Sequence, residues 1–511
     1  MEPATIILFG ATGDLAKRKI YPALYNMFLD GKLPQPFSLI GLGRREWTDE
    51  SFQANVEKSI KLFSRREPAD PDTIMSFIGA FRYRVLDVGR EEDYRKLLEQ
   101  VEKRERELGI PQNRLFYLSV GPELFEPIAL QIRGSGLGTS NGWKRLVIEK
   151  PFGHDLESAR RLNQTLSQAF AEQEIYRIDH YLGKPIVQRL ESLQQAHPAF
   201  YELWVDRQIA NVQITANESV GVEERAGYYD HVGAIKDMFQ NHMLQLLMMT
   251  AVHIPKDSGN GKGRSKKTKV MEALEPLQKE TLRNRVIRGQ YTEGVIKGDF
   301  AAGYKSEPGI APNSMNDTFI AAKLQIANDD WRGVPFYLRT GKRLKEKSTR
   351  IVVEFQGASE PVGEESHSPN LLVLELSPKE SITLQLHSRK QGRSETFQPI
   401  ELDLGANPMN APEAYENLIW DALRGDATFF AHWNEVELSW QWVTPILEAF
   451  AENEAPLLPY AAGTYGPAAA DALLEADGFH WWFDDKLDRE DRQDQNSDRK
   501  EGIRYAYHTN H

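Results

Sequence analysis

Residues 5–17 read Thr5-Ile6-Ile7-Leu8-Phe9-Gly10-Ala11-Thr12-Gly13-Asp14-Leu15-Ala16-Lys17. The apolar run fits a buried strand, the two glycines mark a turn, and a helical pattern follows over residues 14–29. In such a turn, backbone N–H groups can approach a pyrophosphate at the positive end of the following helix. Gly10, Ala11, Thr12, Gly13, Asp14 and Leu15 are therefore candidate cofactor residues. The spacing is Gly-x-x-Gly rather than the full Gly-x-Gly-x-x-Gly, so an ordinary tight turn competes with that reading.

The flanking sequence favours the first reading. Strand-length apolar runs at residues 5–9, 38–42, 83–88, 115–120 and 145–149 alternate with helical stretches at 14–29, 49–63, 91–108, 122–133 and 155–170. That alternation predicts βαβ crossovers and a doubly wound, Rossmann-type parallel sheet, which binds ligands beyond the carboxyl ends of its strands. Later runs at 334–340, 350–355, 371–376, 382–387 and 397–402 follow one another through turns. They predict a large, mainly antiparallel sheet, covered by helices at 226–249, 412–423 and 435–451. The expected fold class is thus α/β plus α+β. A cofactor domain is expected at 1–177, a second domain at 178–483 and a charged tail at 484–511, whose composition predicts disorder. The cationic run at 262–269, set among glycines, reads as a solvated loop.

Composition narrows the function. The 511 residues fit two to four domains, and 62 Lys and Arg against 74 Asp and Glu give a net charge of −12. An acidic balance argues against a nucleic-acid protein with a broad basic face, but allows a local cationic pocket for a small anion. With no cysteine, disulfides, thiolate catalysis and cysteine-based zinc or Fe–S sites are excluded, and no metal centre is expected. The N-terminus lacks a basic, signal-like start, and no run of about 18 apolar residues occurs. A soluble, cytoplasmic protein without a membrane partner is the expectation.

The second strand addresses the cofactor. NAD-binding folds usually place a carboxylate at its end for the ribose 2′-hydroxyl. Here residues 38–42 run into Gly43-Arg44-Arg45, with Glu46 only afterwards. A guanidinium fork suits a 2′-phosphate, so NADP is expected over NAD, with NAD as a weaker second cofactor. Two solvated arginines are the competing reading.

Three further stretches carry chemistry. Glu149-Lys150-Pro151 ends the fifth strand, where Lys150 would point to the cofactor cleft. Arg177-Ile178-Asp179-His180-Tyr181-Leu182-Gly183-Lys184-Pro185 supplies an acid, an imidazole, a phenol and an ammonium ahead of a helix started by Pro185. Between Asp237 and Leu246, His242 sits on an apolar helical stripe, which suits a hydrogen-bonded core histidine. If His242 is instead a base, Asp237 lies about 140° away at 3.6 residues per turn and Asp179 is the better partner. Residues 339–350 hold six cations in twelve positions, either a polar hairpin or a phosphate site.

Together these stretches resemble the glucose-6-phosphate dehydrogenase family. The resemblance rests on residues 177–184 (RIDHYLGK), 149–153 (EKPFG), 222–230 (VEERAGYYD), 240–242 and 333–344 (GVPFYLRTGKRL). It implies oxidation of D-glucose 6-phosphate at C1 to the 1,5-lactone with reduction of NADP, and a substrate-binding and dimerisation role for the second domain. His242 falls on the family's base and Asp179 on the acid that orients it. Lys150 matches the cofactor–substrate junction and Pro151 a hinge. His180, Tyr181, Lys184 and Lys347 match contacts to the substrate phosphate, and Glu218, Asp237 and Lys342 match groups around the sugar. Thr12, Arg44, Arg45 and Asp87 match cofactor contacts. The family also implies a homodimer or homotetramer built through the large sheet. Gly121-Pro122 departs from the more usual Ala-Pro, and nothing beyond Trp482 matches the family. Two other readings are a glucose–fructose-type oxidoreductase acting on an unphosphorylated sugar and a non-catalytic NADPH sensor. The first would not need the His180, Lys184 and Lys347 cluster, and the second would not need both Asp179 and His242.

Overall fold

Apolar strands joined by amphipathic helices form the first sheet of the computed structural model, which describes residues 1–67, 70–196, 208–252, 263–356, 369–389, 397–405 and 411–484. The expected tail, apart from Asp484, lies outside the described residues. Strands β1 (Ala4–Phe9), β2 (Phe37–Gly43), β3 (Phe81–Val85), β4 (Arg114–Leu118), β5 (Lys144–Ile148) and β6 (Ile175–Arg177) are arranged in the order 3-2-1-4-5-6. Every pairing is parallel, as the intervening helices require. The chain reverses direction across the sheet between β1 and β4, which opens a crevice beyond the carboxyl ends of these strands.

The second sheet has nine strands. They are β7 (Ile209–Asn217), β8 (Val286–Thr292), β11 (Phe319–Gln325), β12 (Pro335–Gly341), β13 (Ser348–Phe355), β14 (Leu371–Ser377), β15 (Ser381–Arg389), β16 (Phe397–Asp403) and β17 (Leu457–Ala461). A separate hairpin holds β9 (Gly294–Ile296) and β10 (Asp299–Ala301). The order is 16-15-14-13-7-12-11-8-17, antiparallel except where β7 meets β12 and β8 meets β17. Central β7 alternates apolar and polar residues, and its Val212 and Ile214 are fully buried in the core beneath the helices.

The expected helix at 226–249 is interrupted. It stops at Tyr229, Gly233 adopts φ +68°, and the chain restarts as a π-helix, Ile235–Met243, followed by an α-helix, Leu244–Ala251. Asp317 holds that restart, since its carboxylate accepts the Ile235 N–H at 3.0 Å and its carbonyl the Ala234 N–H at 3.0 Å. The cationic run expected as a loop is helical from Gly263 to Glu272, and Lys267 is buried against Glu435 at 3.1 Å. A buried partner for the ammonium ties the segment to the helix Trp433–Ala451.

The segment expected as sheet cover at 412–423 sits elsewhere. The helix Ala414–Arg424 returns to the first domain, where Leu418, Ile419, Ala422 and Leu423 join its core. Glu416 accepts from Arg65 at 2.6 Å and from Asn26 at 3.1 Å, so a carboxylate from late in the chain is buried among first-domain partners. Its apolar stripe packs into the core beside the parallel sheet rather than against the second sheet. Gly183 lies under the start of this helix, where a Cβ would meet Ala414 O at 2.6 Å.

Candidate active site

The glycine turn is built for close approach. Gly10 has φ +78°, and a Cβ there would stand 2.0 Å from Ser119 O, so only glycine fits. The N–H groups of Gly10 and Ala11 both donate to Leu42 O, at 3.1 and 3.0 Å, which binds the turn to the end of β2. Asp14 and Leu15 then open the helix, whose first N–H groups have no intrahelical acceptor. The same helix carries a π segment at Ala16–Ile20. Bare backbone donors at a helix start fit a dinucleotide pyrophosphate.

Arg44 and Arg45 are exposed just beyond β2, and neither guanidinium has an ion-pair partner among the described residues. The Arg45 carbonyl accepts from the Tyr83 hydroxyl at 2.8 Å, which fixes the backbone while leaving the side chain in solvent. Gly43, just before them, lies beside the glycine turn, since a Cβ on it would stand 3.6 Å from Thr12 Oγ1. Asp87 follows β3, and its carboxylate accepts the Gly89 N–H at 3.0 Å, closing a local turn.

His242 lies on the π-helix Ile235–Met243. Its Nδ1 lies 2.7 Å from Asp179 Oδ1, and both side chains are buried. Asp179 is itself fixed, since Oδ1 also accepts the Tyr181 N–H at 3.0 Å. Burial opposes the Asp179 charge, but the His242 ring, its hydrogen bond and the nearby His180 outweigh it and hold the carboxyl at about 2. Burial lowers the His242 pKa, and Asp179 counteracts only part of this. The resulting neutral ring donates from Nδ1 and leaves Nε2 as an acceptor. Nε2 is buried and has no hydrogen-bond partner among the described residues.

The remaining candidates gather around this ring. The His180 and Tyr181 ring centres each lie 4.7 Å from that of His242. Burial first, then His242 beside it, holds the His180 imidazole down at about 3, so it stays neutral. Tyr181 lies near Thr349 at the start of β13. Lys150, which precedes a cis bond to Pro151, donates to the Asp237 carbonyl at 2.7 Å, with the Asp237 carboxylate 3.5 Å away. Lys342 pairs with Glu218 at 2.5 Å. Burial of Asp237 is outweighed by Lys150, Lys342 and Arg225, which keep its carboxyl below the usual range. Lys184 reaches the Leu376 carbonyl at 2.8 Å, at the end of β14 that pairs with the start of β13. Lys347 is exposed immediately before β13.

Asp237 and His242 share the site despite their helical spacing. A π-helix bonds i to i+5, so residues five apart are one hydrogen-bond step apart and the 140° separation expected for an α-helix does not hold. Sequence reasoning missed Tyr117, whose hydroxyl bonds Glu149, Tyr415, whose phenol lies near the same carboxyl, and Tyr229, which faces Lys342 at 5.0 Å. Glu149 did have a signal, its place at a strand end beside Lys150, whereas Tyr415 lies on a distant helix with no local motif.

A family model described as glucose-6-phosphate dehydrogenase, NAD binding domain, matches residues 7–189, and one for the C-terminal domain matches residues 192–482. Glucose-6-phosphate 1-dehydrogenase of Bacillus subtilis (strain 168) is 45% identical over 485 residues, covering 94% of this chain and 98% of its own. The enzyme of that name from Leuconostoc mesenteroides is 38% identical over 484 residues, with 94% and 98% covered. A solved structure of glucose-6-phosphate dehydrogenase in complex with its substrate glucose 6-phosphate superposes with a TM-score of 0.86 at 32% identity, covering 94% of this chain and 98% of that one. By the match to both domains and by this identity over nearly its whole length, the chain belongs to the glucose-6-phosphate dehydrogenase family.

Proposed function

We propose that His242 takes the proton of the C1 hydroxyl of D-glucose 6-phosphate at Nε2, while Asp179 holds the ring and stabilises the imidazolium that forms. The enzyme oxidises D-glucose 6-phosphate to 6-phospho-D-glucono-1,5-lactone, the entry step of the oxidative pentose phosphate pathway. In the balanced step the O–H electron pair becomes the second C–O bond, the proton goes to His242, and the C1 hydride leaves with its electrons. NADP, when bound, supplies the hydride acceptor.

The observation that carries this reading is the bare, buried Nε2 of a neutral histidine whose other nitrogen is held at 2.7 Å by an ionised acid. The 2.7 Å bond fixes the tautomer, so the free nitrogen is the one that faces substrate. Asp237, Glu218, Lys342 and Lys150 are assigned to the sugar and the junction with the cofactor. His180, Tyr181, Lys184 and Lys347 are assigned to the substrate phosphate, with neutral His180 as a hydrogen-bond donor and the lysines as charges. Holding a phosphate remote from C1 supplies binding energy for alignment. Gly10, Ala11, Thr12, Gly13, Asp14, Leu15 and Lys150 are assigned to the cofactor, with Arg44 and Arg45 on its 2′-phosphate and Asp87 at its edge. NAD serves as the weaker alternative.

We also propose a chain division at 1–177 and 178–483. It is supported by β6 ending the parallel sheet at Arg177, while the family models meet later, between residues 189 and 192. Among the described residues no helix is long and apolar enough to cross a membrane. A cytoplasmic homodimer or homotetramer joined through the nine-stranded sheet is the proposed state, to be checked by light scattering.

The reading is tested by mixing purified protein with NADP and either D-glucose 6-phosphate or free glucose and following reduced nicotinamide. A far higher kcat/KM for the phosphorylated sugar is expected. Equal values would remove the phosphate site, and no turnover with either sugar would remove the reaction.

A further inference from the structure

Glu149 stands beside Lys150 at the end of β5, and the reaction above gives it no work. It follows β5 directly, just as the loop that holds Asp179 follows β6. Ile148 pairs with Arg177, and the Ile178 N–H donates to Ile148 O at 2.9 Å. The two carboxyls therefore leave neighbouring ends of parallel strands, which run about 4.8 Å apart. Tyr117 on β4 donates its hydroxyl to Glu149 Oε1 at 2.7 Å. Tyr415, on the helix Ala414–Arg424, supplies a second phenol. Lys150 and Asp179 are the charged groups that face it, so three adjacent strand ends and one returning helix converge on a single carboxyl.

We propose that Glu149 is a positioning residue of the reaction, whose carboxylate adds negative charge beside Asp179 and so makes His242 a stronger base. The inference rests on the reading of His242 as that base. Negative charge near an imidazole favours its protonated form, and a stronger base carries proton transfer further. The two phenols and Lys150 favour the carboxylate, while burial and Asp179 oppose it more strongly, pushing Glu149 up to about 7. Its charge thus appears and disappears within the working range of a histidine, and the returning helix, through Tyr415, takes part in setting that point.

The test compares kcat/KM against pH for full-length wild type, Glu149→Gln and Tyr415→Phe, with NADP and D-glucose 6-phosphate. Wild type should fall in two acid-side steps, the higher one near pH 7 from Glu149. In Glu149→Gln the higher step should vanish, the rate near pH 8 should drop by ~3–10-fold, and the two profiles should converge below about pH 6. The substrate phosphate titrates identically for both proteins and cancels in the ratio. Tyr415→Phe removes a donor from the carboxylate and should move the higher step to higher pH. A constant wild-type-to-Gln ratio at every pH overturns the proposal, because a packing defect scales the whole profile. If Glu149→Gln does not fold, an unmoved step in Tyr415→Phe overturns it alone. Thermal melts without substrate give a second readout. A raised acid stabilises the fold below its unfolded pKa and loses that contribution as pH rises through about 7, so the melting temperature of Glu149→Gln relative to wild type should climb between about pH 5 and 8. A flat difference counts against the proposal. Full kcat in His242→Ala would instead remove the base reading, whatever Glu149 does.

Discussion

Around His242, charge is buried and paired before any ligand arrives. At Arg44 and Arg45, charge is exposed and without an ion-pair partner among the described residues. On the assignments proposed above, the two regions do different work. A proton-transfer site gains from groups that need no rearrangement at the moment of reaction, so its acid and ring are fixed by packing and by backbone donors. A 2′-phosphate site has only to meet a dianion, and solvated guanidinium forks can close on it without burying an unpaired charge in its absence. On those assignments, preorganisation belongs to the proton-transfer site and adaptability to the site for the cofactor's tail.

The contrast can be broken, starting with the largest expected effect. His242→Ala should lower kcat by ~10²–10⁴ with substrate binding largely kept, because it removes a group used mainly in the transition state. An unchanged kcat would end the contrast on the catalytic side. Arg44→Ala combined with Arg45→Ala should lower kcat/KM for NADP by ~10–100-fold, the scale of one or two lost charge-assisted bonds, and leave NAD within a few-fold. Equal losses with both cofactors would mean that the arginines do not read the phosphate. Lys184→Ala should raise KM for the phosphorylated sugar by ~10-fold and spare the weak activity on free glucose, as steady-state kinetics with the two sugars would reveal. The smallest effect is expected at Asp87. Its carboxylate is already engaged by Gly89, so Asp87→Ala should change KM for NADP by less than about threefold and cost about 1 kcal/mol of stability in a denaturant titration.

The parallel sheet was legible because its strands are short, apolar and separated by helices of the right length. Three-residue β6 carried too little pattern to be read as a strand. Several strands of the nine-stranded sheet were read correctly, but central β7 was not, because its alternation lies between segments with no turn motif to frame it. The site residues were legible as types at strand ends and in one dense loop. Asp179 was expected as the partner of His242 although 63 residues separate them, and the 2.7 Å contact bears this out; the π-helix that carries His242 was not legible, because it has no signature in a 3.6-residue reading. Most helical segments of the first domain were located, but the cationic run at 262–269 was read as a loop, the break at Gly233 was missed, and residues 412–423 were given the wrong partner. An apolar stripe states that a face will be covered and does not say by what.

That same returning helix sets a limit on how the molecule can be taken apart. Leu418, Ile419 and Leu423, with Phe430 just after them, fill the core of the nucleotide half. Withdrawing four such side chains forfeits on the order of 6–12 kcal/mol, comparable to the entire net stability of an ordinary domain at about 5–15 kcal/mol. A fragment ending at Arg177 would therefore be a lidless shell rather than a portable cofactor module. Evolution or an engineer wishing to transplant one half would have to carry a splinter of the other along with it.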